Sequence, residues 1–501
     1  MSRPALLTRE ETAEHLRALA DSLNSGLESG TDRGGRATKG QFTTPSEAAT
    51  AIVELLDMGD LDEYQILDPG AGSGALMLNL VALAIENGVT ARLVVDLVEC
   101  DESALHLLND AVAGARLAAD SHDLGIELNI IDADFLDLDS WTYRTYDIAV
   151  MNPPYSKLGQ DAQSRKVTQR LVGADCPNIY AAFVATALSL LAEHGQLVAI
   201  TPRSFANGRY FLDFRRFVTD LSGFTHVVLF DRRDKIFRSS AVLQETVIFR
   251  LVKSTSPNSI SAVVETRHDH ETSAYDTHEV PQSTITARDD PDRFINLPGS
   301  PDVMAVAERL RSYDETLTSL GVSVSTGPVV DFRAKEFLAG PEDPDTVPLI
   351  YPVNVRPDGI SWPLGGGKAQ GFIRTPASAR QLYPNGCYVV VKRFTSKEEK
   401  RRVVAAIYEP IDGYSEVAFE NHVNVIHQNK SPLPRDLAEQ IAEYLNSEDV
   451  DVFFRMFSGN TQVNATDLRR LHVPMQRRDD LTLDLSGDGA QGSLFGSEVL
   501  A

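Results

Sequence analysis

The feature that most constrains the fold is the tetrapeptide Asn-Pro-Pro-Tyr at residues 152–155, which directly follows the apolar run Tyr146 to Met151. The run predicts a buried strand. Neither proline has an N–H group to donate to a sheet, so the strand has to end here. In an open α/β sheet, ligands bind at the carboxyl ends of the strands. The tetrapeptide therefore predicts an amide, two prolyl carbonyls and an aromatic ring held rigidly at the mouth of a pocket.

A glycine-rich turn lies upstream, between a predicted strand and a predicted helix. The strand at 64–68 ends in Asp68 and runs into Pro-Gly-Ala-Gly-Ser-Gly, after which residues 75–85 form an apolar helical stretch. This order is typical of the first unit of a nucleotide-binding sheet, because glycines let the backbone approach a ligand closely. The turn lacks the Lys-Ser/Thr pair of a Walker loop. An acid before the turn fits a ligand with a cationic amino group better than one with a pyrophosphate.

Acidic side chains also end the next two predicted strands. Glu99 follows the strand at 92–98, and Asp134-Phe135 follows the strand at 125–131. A single acid at a strand end is more often a solvated loop residue, but Asp68, Glu99 and Asp134 occur at the same edge of successive strands. Glu99 is placed to accept hydrogen bonds from both ribose hydroxyls. Asp134 is placed to accept from the amino group of an adenine, with Phe135 against its ring.

The rest of the chain predicts an α/β domain followed by a different one. Strands at 196–200, 224–230 and 241–251 continue the first domain, the last two as an antiparallel hairpin. We predict five regions: an N-terminal helix and flexible loop (1–39), a catalytic domain (40–252), a connector with short β segments (253–295), a mixed α+β domain (296–478) and an acidic, disordered tail (479–501). The basic loop at 30–36 is either a linker or a loop that orders on a ligand or on DNA.

The net charge of −24 does not by itself favour a nucleic-acid partner. Net charge bears on solubility, however, whereas binding depends on the local distribution of charge. The second half places basic residues beside aromatic ones, as at 392–394, which suits phosphate and base contacts and also fits an ordinary solvated face. The three cysteines lack metal-ligand spacing, and no signal or membrane-spanning segment is evident. We therefore expect a cytoplasmic protein without a metal site.

The Asn-Pro-Pro-Tyr sequence suits methyl transfer to a planar amine, such as N6 of adenine. The lone pair of such an amine is delocalised into the ring and is poorly nucleophilic. The side-chain oxygen of Asn152 and the carbonyl of Pro153 can accept its two N–H groups and so localise the lone pair. Tyr155 provides a stacking face for a base taken out of its duplex. The expected methyl donor is S-adenosylmethionine, with its amino group near Asp68 and the glycine turn.

Together these segments resemble the gamma-class (TaqI-like) N6-adenine DNA methyltransferases of restriction–modification systems, over most of residues 40–475. Residues 40–45 resemble motif X of that family, 68–74 motif I, Glu99 motif II, Asp134-Phe135 motif III and 152–155 motif IV, in the gamma order. Residues 325–333 and 458–464 resemble segments of its target-recognition domain. The resemblance implies a Rossmann-like class I methyltransferase sheet, followed by a mixed α+β domain that reads the DNA sequence.

The resemblance also implies which residues and partners carry the activity. The implied catalytic and base-binding residues are Asn152, Pro153, Tyr155 and Phe205; Phe205 resembles the motif VIII aromatic that contacts a flipped base. The implied cofactor-binding residues are Phe42, Thr43, Thr44, Pro45, Asp68, Gly70, Gly72, Gly74, Glu99, Asp134, Phe135, Asn152 and Phe183. The implied partners are S-adenosylmethionine, double-stranded DNA and a separate cognate endonuclease, with the chain acting as a monomer.

Other functions share parts of this pattern. Asn-Pro-Pro-Tyr also serves enzymes that methylate glutamine amides in release factors, and some RNA methyltransferases, but the glutamine enzymes are short. Cytosine C5 chemistry needs a Pro-Cys nucleophile, and Cys176 precedes its proline. N4-cytosine enzymes usually have Ser in place of Asn152. A specificity subunit without turnover is a further alternative, which the intact Asn152 and Asp68 disfavour. Residues 491–495 resemble a sliding-clamp docking motif or match one by chance.

Overall fold

The chain forms two compact units in the computed structural model, and each unit is described by itself. Unit 1 comprises residues 1–304 with 456–460, and unit 2 comprises residues 305–455 with 461–501. The structure describes residues 7–30, 43–59, 61–137, 142–230, 246–254, 256, 259–267, 275–287, 290–365, 368–395, 401–457 and 462–476. The predictions for the loop at 31–39, for Phe42, for the disordered tail and for the clamp-like motif at 491–495 lie outside these residues.

A nine-stranded sheet forms the centre of unit 1, in the order β3-β2-β1-β4-β5-β7-β6-β8-β9. Its strands are β1 Glu63–Asp68, β2 Arg92–Glu99, β3 Ile126–Asp132, β4 Tyr146–Met151, β5 Leu191–Pro202, β6 Ser222–Phe230, β7 Thr246–Lys253, β8 Ser261–Arg267 and β9 Tyr275–Pro281. Neighbouring strands from β3 to β5 are parallel, and β7 runs antiparallel between β5 and β6. The α/β class and the antiparallel pairing of the last two predicted strands are confirmed. The strand order is that of a class I methyltransferase sheet.

Helices cover both faces of this sheet. They are α1 Arg9–Gly30, α2 Ser46–Val53, α3 Ala75–Glu86, α4 Glu102–Ser121, α5 Gln163–Val172, α6 Ile179–Leu190, α7 Leu212–Leu221 and α8 Gln282–Ile285, with 3₁₀ turns at Arg203–Ala206 and Arg209–Phe211. A further helix, α9 Pro301–Arg311, begins in unit 1 and continues along the chain into unit 2. Successive side chains of a strand point to opposite faces, so Ile66 packs in the core beside α1, α3 and α4, whereas Leu67 packs in the core beside α6 and α7. None of the described helices is long and apolar enough to cross a bilayer.

Two predicted regions differ in detail from the structure. The predicted N-terminal helix begins with a capping box, in which the backbone N–H of Glu11 donates to Thr8 and that of Thr8 donates to Glu11. This helix continues to Gly30, so it includes the first residue of the basic loop that was predicted at 30–36. The expected connector contributes β8 and β9 to the main sheet, with β8 parallel to β6. The polar composition of this segment gave no indication that it joins the main sheet. A strand with one face in solvent needs apolar residues on its other face only.

Unit 2 is a mixed α+β unit built on two sheets. A four-stranded sheet has the order β11-β21-β18-β19, a five-stranded sheet has the order β12-β16-β13-β20-β17, and β10 pairs with β22 and β14 with β15. The strands are β10 Glu315–Thr316, β11 Ser323–Thr326, β12 Leu338–Ala339, β13 Thr346–Ile350, β14 Val355–Arg356, β15 Gly359–Ile360, β16 Gly371–Ile373, β17 Leu382–Pro384, β18 Tyr388–Lys392, β19 Ala405–Tyr408, β20 Glu416–Phe419, β21 Val423–His427 and β22 His472–Val473. The helices are α10 Arg435–Leu445, α11 Glu448–Phe457 and α12 Ala465–Arg469, with 3₁₀ turns at Lys335–Phe337, Pro352–Asn354 and Ala379–Gln381. Buried aromatic rings, among them Tyr383, Tyr388 and Phe419, pack together in its core.

Candidate active site

An open cavity of about 940 Å³ lies at the carboxyl ends of β1, β2, β3 and β4. The strand order reverses between β1 and β4, and such a switch point opens a crevice in a parallel sheet. The size is that of a small-molecule site. Of the predicted site residues, the cavity is lined by Thr43, Thr44, Gly70, Gly72, Glu99, Asp134, Phe135, Asn152 and Phe183. Pro45, Asp68, Gly74, Pro153, Tyr155 and Phe205 are not among its lining residues.

The glycine turn is shaped by close packing on both of its sides. Gly74 begins α3 in a left-handed conformation (φ 86°), and a Cβ at this position would lie 2.8 Å from the Cβ of Ala111 on α4. A Cβ at Gly70 would lie 3.4 Å from the ring of Phe183 across the cavity. Glycine at 74 therefore lets the two helices approach, and glycine at 70 keeps the cavity open beside that ring.

Asp68 is a fully buried carboxyl group behind the glycine turn. Its side chain is 0% exposed, and neither of its oxygens has a hydrogen-bond partner among the described residues. Burial raises the pKa of Asp68 to about 7, the nearby Gly70 N–H acts in the opposite direction, and the charge of Glu99 adds to the rise. A buried acceptor in this state would be stabilised as an anion by a cationic ligand.

Glu99 holds the backbone on either side of the cavity. Its Oε2 atom accepts a hydrogen bond of 2.8 Å from the N–H of Gly72, and its Oε1 atom accepts bonds of 2.8 Å from Cys100 and Asp101. These bonds tie the glycine turn to the turn between β2 and α4, a structural role that the sequence did not indicate. Because each carboxylate oxygen has two lone pairs, Oε2 can still accept a hydroxyl of a bound ligand.

Two phenylalanine rings and one acid form the far wall of the cavity. The rings of Phe135 and Phe183 lie 5.0 Å apart between centroids, tilted by 53°. One oxygen of Asp134 accepts a 2.9 Å hydrogen bond from the N–H of Leu136. An apolar wall beside a fixed carboxylate suits a planar heterocycle with an amino group.

Asn152 lies at the end of β4, and its amide is held at both ends. Its Nδ2 group donates to Oγ1 of Thr44 at 3.0 Å, and its Oδ1 atom accepts from the hydroxyl of Tyr155 at 3.0 Å. Thr44 belongs to the predicted motif X, 108 residues away along the chain. The structure therefore brings motifs X and IV into direct contact at the cavity wall.

The ring of Tyr155 is partly exposed and packs edge-on against Tyr180, with centroids 6.4 Å apart. The hydroxyl of Tyr180 in turn lies 2.9 Å from that of Ser204. Burial raises the pKa of both phenols well above the ordinary value of 10. Both tyrosines are therefore neutral at physiological pH, and Tyr155 can act as a hydrogen-bond donor but not as a base.

Comparison with known proteins identifies the family. The chain is 35% identical over 476 residues to the type II methyltransferase M.PstI of Providencia stuartii, covering 92% of both chains. The chain belongs to the type II methyltransferases. The methyltransferase is also 36% identical to M.BsuBI of Bacillus subtilis, covering 87% of both chains. Residues 102–237 match the family model of the Eco57I restriction-modification methylase. Among solved structures, the chain is similar to a nuclease-deletion mutant of the type ISP restriction-modification enzyme LlaGI in complex with a DNA substrate mimic. The similarity covers 85% of this chain and 45% of that one, at 13% identity and a TM-score of 0.49.

S-adenosylmethionine is the cofactor of the methyltransferase, and the residues in and behind the cavity wall fit it. Asp68, a buried acceptor behind the glycine turn, suits its cationic amino group, and Glu99 in the cavity wall suits its ribose hydroxyls. The wall formed by Asp134, Phe135 and Phe183 suits its adenine.

Phe205 lies apart from this cavity. Its ring is 2% exposed and packs edge-on against Phe214 and Phe249, with centroids 6.0 and 5.6 Å away. The loop that follows is fixed by Arg215, which is completely buried and donates hydrogen bonds to the carbonyls of residues 205, 207 and 208. The contact of Phe205 with a flipped base stays a prediction, and its observed contacts belong to the core.

Sequence reasoning missed Asn24, a polar residue on the apolar face of α1. Its Nδ2 group donates to the carbonyl of Thr44 at 2.7 Å, and its Oδ1 atom accepts from the hydroxyl of Ser73 at 2.7 Å. Asn24 lines the cofactor cavity and is 7% exposed. The signal was present in the spacing, because Asn24 follows the buried Ala20 by one helical turn and so continues the buried face of the helix.

Proposed function

We propose that this methyltransferase transfers a methyl group to N6 of a flipped adenine in double-stranded DNA, at a specific sequence, as a gamma-class modification enzyme. The observation that carries the proposal is Asn152 at the cavity wall, at the end of β4, followed by two prolines and oriented by Thr44 and Tyr155. This is a set of hydrogen-bond acceptors for a planar amine, next to the cofactor site.

Activation of the amine is the task of Asn152 and Pro153. S-adenosylmethionine supplies an electrophilic methyl group when it is bound. The Oδ1 atom of Asn152 and the carbonyl of Pro153 accept the two N–H groups of the amine, which turns its lone pair towards the methyl carbon. Transfer of the methyl group from sulfur to nitrogen would break the S–C bond as the N–C bond forms and leave a neutral thioether. The nitrogen would then lose one proton to solvent, so no ionised side chain has to act as a base. Orientation supplies most of the rate enhancement, and the bonds from Thr44 and Tyr155 provide it for Asn152.

The choice of adenine rests on Asn152, since Ser is usual at this position in N4-cytosine enzymes. The large second unit separates the chain from the short glutamine methyltransferases. We propose that Tyr155 stacks on the flipped base, because its ring is partly exposed while its back is supported by Tyr180. The edge-on contact with Tyr180 supports the plane of the Tyr155 ring.

We propose that unit 2 reads the DNA sequence. A cavity of about 1460 Å³ in this unit is lined by cations and aromatic rings. The ammonium of Lys368 lies 4.7 Å from the ring centre of Tyr351, and the imidazole of His422 lies 5.1 Å from the ring of Phe394. Arg356 is exposed at its edge. Cations can contact phosphates here, and rings can contact bases.

His422 is the residue in this cavity that is best placed to read a base. Its Nδ1 atom lies 2.5 Å from the carboxylate of Glu420, which is 1% exposed, while the His422 side chain is 47% exposed. The buried carboxylate engages Nδ1 of the ring, whose side chain is about half exposed. A fixed imidazole nitrogen can hydrogen-bond a base edge in the major groove.

Transfer of labelled methyl groups to DNA tests the proposal. Purified protein is incubated with labelled S-adenosylmethionine and genomic DNA, and the digested nucleosides are separated. Label in N6-methyladenine, abolished in Asn152→Ala, is expected, and sequencing of the product would give the site. Label in cytosine, in RNA or in a release factor would refute it, and the absence of label under all substrates would favour a binding subunit. We further propose that a separate cytoplasmic endonuclease cleaves the unmodified site, and that the methyltransferase acts as a monomer.

A further inference from the structure

One face of α1 is bonded to the segment that carries motif X. Asp21, Asn24 and Glu28 follow each other at helical spacing and so share a face. Asp21 accepts from the hydroxyl of Ser46 at 2.6 Å, Asn24 donates to the carbonyl of Thr44 at 2.7 Å, and Glu28 accepts from the hydroxyl of Thr43 at 2.5 Å. The position of residues 43–46 therefore depends on this helix.

The hydrogen bond between Asn24 and Thr44 is linked by further hydrogen bonds to both halves of the active site. On one side, the hydroxyl of Ser73 in the glycine turn donates to Asn24. On the other side, Thr44 accepts from the amide of Asn152, and Asn152 accepts from Tyr155. A continuous hydrogen-bonded network thus runs from the cofactor turn to the acceptors for the target amine. It passes through Ser73, Asn24, Thr44, Asn152 and Tyr155.

Burial makes this hydrogen-bonded network sensitive to the loss of any of its members. Ser73, Asn24 and Thr44 are each less than a tenth exposed, so solvent cannot easily replace a missing partner. Loss of one partner leaves a buried donor or acceptor unsatisfied, and the neighbouring groups shift to compensate. Because the amide of Asn152 is fixed through Thr44, such a shift moves the acceptors for the amine.

We propose that Asn24 is a positioning residue that couples the glycine turn of the cofactor site to the orientation of Asn152. It does not contact the reacting atoms. It holds the two parts of the site at one spacing, so that the cofactor and the target amine are aligned when both are bound. The proposal rests on the proposed methyl transfer for its kinetic consequence but not for its structural one.

Three variants and one control test the coupling. Asn24→Ala removes both bonds. Asn24→Asp has the same shape and keeps the acceptor for Ser73 but has no N–H for the carbonyl of Thr44. Ser73→Ala removes one hydroxyl without touching Asn152. The control is Asn79→Ala, because Asn79 is likewise a buried asparagine whose side chain bonds two segments of unit 1, through a 2.9 Å bond from Thr50 and a 2.8 Å bond to Ala75.

Three measurements separate positioning from folding. They are the thermal midpoint, the calorimetric affinity for S-adenosylhomocysteine, and the single-turnover rate on DNA at saturating cofactor. We expect both Asn24 variants to lower the rate by about 10- to 100-fold, as misplacement of a reacting group does, and Asn24→Ala to weaken the affinity by about tenfold. Asn79→Ala should lower the thermal midpoint but leave the rate and the affinity within about twofold of the wild type. Falls in rate no larger than that of Asn79→Ala would overturn the proposal.

A measurement without DNA tests the coupling even if the Asn24 variants fail to fold or the wild type methylates no DNA. In protein labelled selectively at asparagine with ¹⁵N, the side-chain resonance of Asn152 is identified by its loss in Asn152→Asp. We expect it to shift in Ser73→Ala, which is a mild change even if the Asn24 variants fail to fold, and an unshifted resonance would overturn the coupling. If the wild type binds cofactor but methylates no DNA, the proposed function fails, while this resonance still decides the role of Asn24.

Discussion

We predict that the buried carboxyl group of Asp68 makes both the stability of the protein and its affinity for the cofactor depend on pH. Its pKa rises from 3.8 to about 7 in the folded protein, chiefly through burial. A raised pKa of an acid means that the folded state holds its proton more tightly than the unfolded state. The contribution of this group to stability is therefore complete below pH 3.8 and is lost as the pH rises through 7.

The size of this loss follows from the shift. Linkage with these two pKa values gives a penalty of about 1.7 kcal/mol at pH 5 and about 4 kcal/mol at pH 8. Asp68→Asn cannot ionise, although its buried amide costs about 1–3 kcal/mol at every pH. The stability of Asp68→Asn relative to the wild type should therefore rise by about 2–3 kcal/mol between pH 5 and pH 8.

The same titration predicts the opposite trend for cofactor affinity. Only ionised Asp68 attracts a cationic amino group, and about a tenth of it is ionised at pH 6 against about nine tenths at pH 8. The affinity of the wild type for S-adenosylhomocysteine should rise about tenfold over this range, and that of Asp68→Asn should be weaker and nearly independent of pH.

Urea unfolding and calorimetry at pH 5, 6 and 8 measure both effects in the absence of DNA. Asp110→Asn is the matched control, because Asp110 is exposed on α4, and we expect it to follow the wild type at each pH. An Asp68→Asn variant that loses stability relative to the wild type as the pH rises would contradict the assignment of a raised pKa. A wild-type affinity that is flat between pH 6 and pH 8 would remove Asp68 from cofactor binding.

Changes at four further residues test how the target DNA is bound and methylated. Asn152→Ala should lower the single-turnover rate by at least about 100-fold with near-normal affinity for S-adenosylhomocysteine, and a variant that keeps more than a few per cent of the rate would show that Asn152 is not the acceptor. Tyr155→Phe keeps the ring but not the bond to Asn152, so it should lose less activity on duplex DNA than Tyr155→Ala; equal losses would argue against stacking. Arg356→Ala should weaken binding to all DNA sequences and reduce the slope of log affinity against log salt concentration by about one. His422→Ala should relax discrimination at one base pair, and the control is His106→Ala, because His106 is exposed on α4.

The sequence was sufficient to predict where the cavity lies, because the pattern that indicates it is local. Asp68, Glu99 and Asp134 each follow an apolar run, and parallel strands place their carboxyl ends at one edge. The cavity does lie at this edge, with Glu99 and Asp134 in its wall. The bonds from Glu99 to the turn backbones were not predictable, because they depend on how two loops approach each other.

Contacts between distant segments limit prediction in a different way. The hydrogen bond from Asn152 to Thr44 joins residues that are 108 positions apart, and the hydrogen bond from Ser73 to Asn24 joins residues that are 49 positions apart. The periodicity of apolar residues along the sequence does not predict such hydrogen bonds, since each partner is an ordinary polar residue in its own segment. Only the buried position of Asn24 on an otherwise apolar helix face carried a local sign of them.

Phe205 shows why a motif can predict a position along the chain without predicting a role. Its contacts with Phe214 and Phe249 place the ring in the core, and withdrawing a buried phenylalanine side chain costs about 1.5–3 kcal/mol. The bonds of Arg215 to the carbonyls of the same loop oppose that movement. Tyr155 needs no such movement, because its ring is already partly exposed. If only one of these two rings stacks on the flipped base, the energy of the free protein favours Tyr155, and Phe205→Leu should then lower the thermal midpoint more than it lowers the rate of transfer.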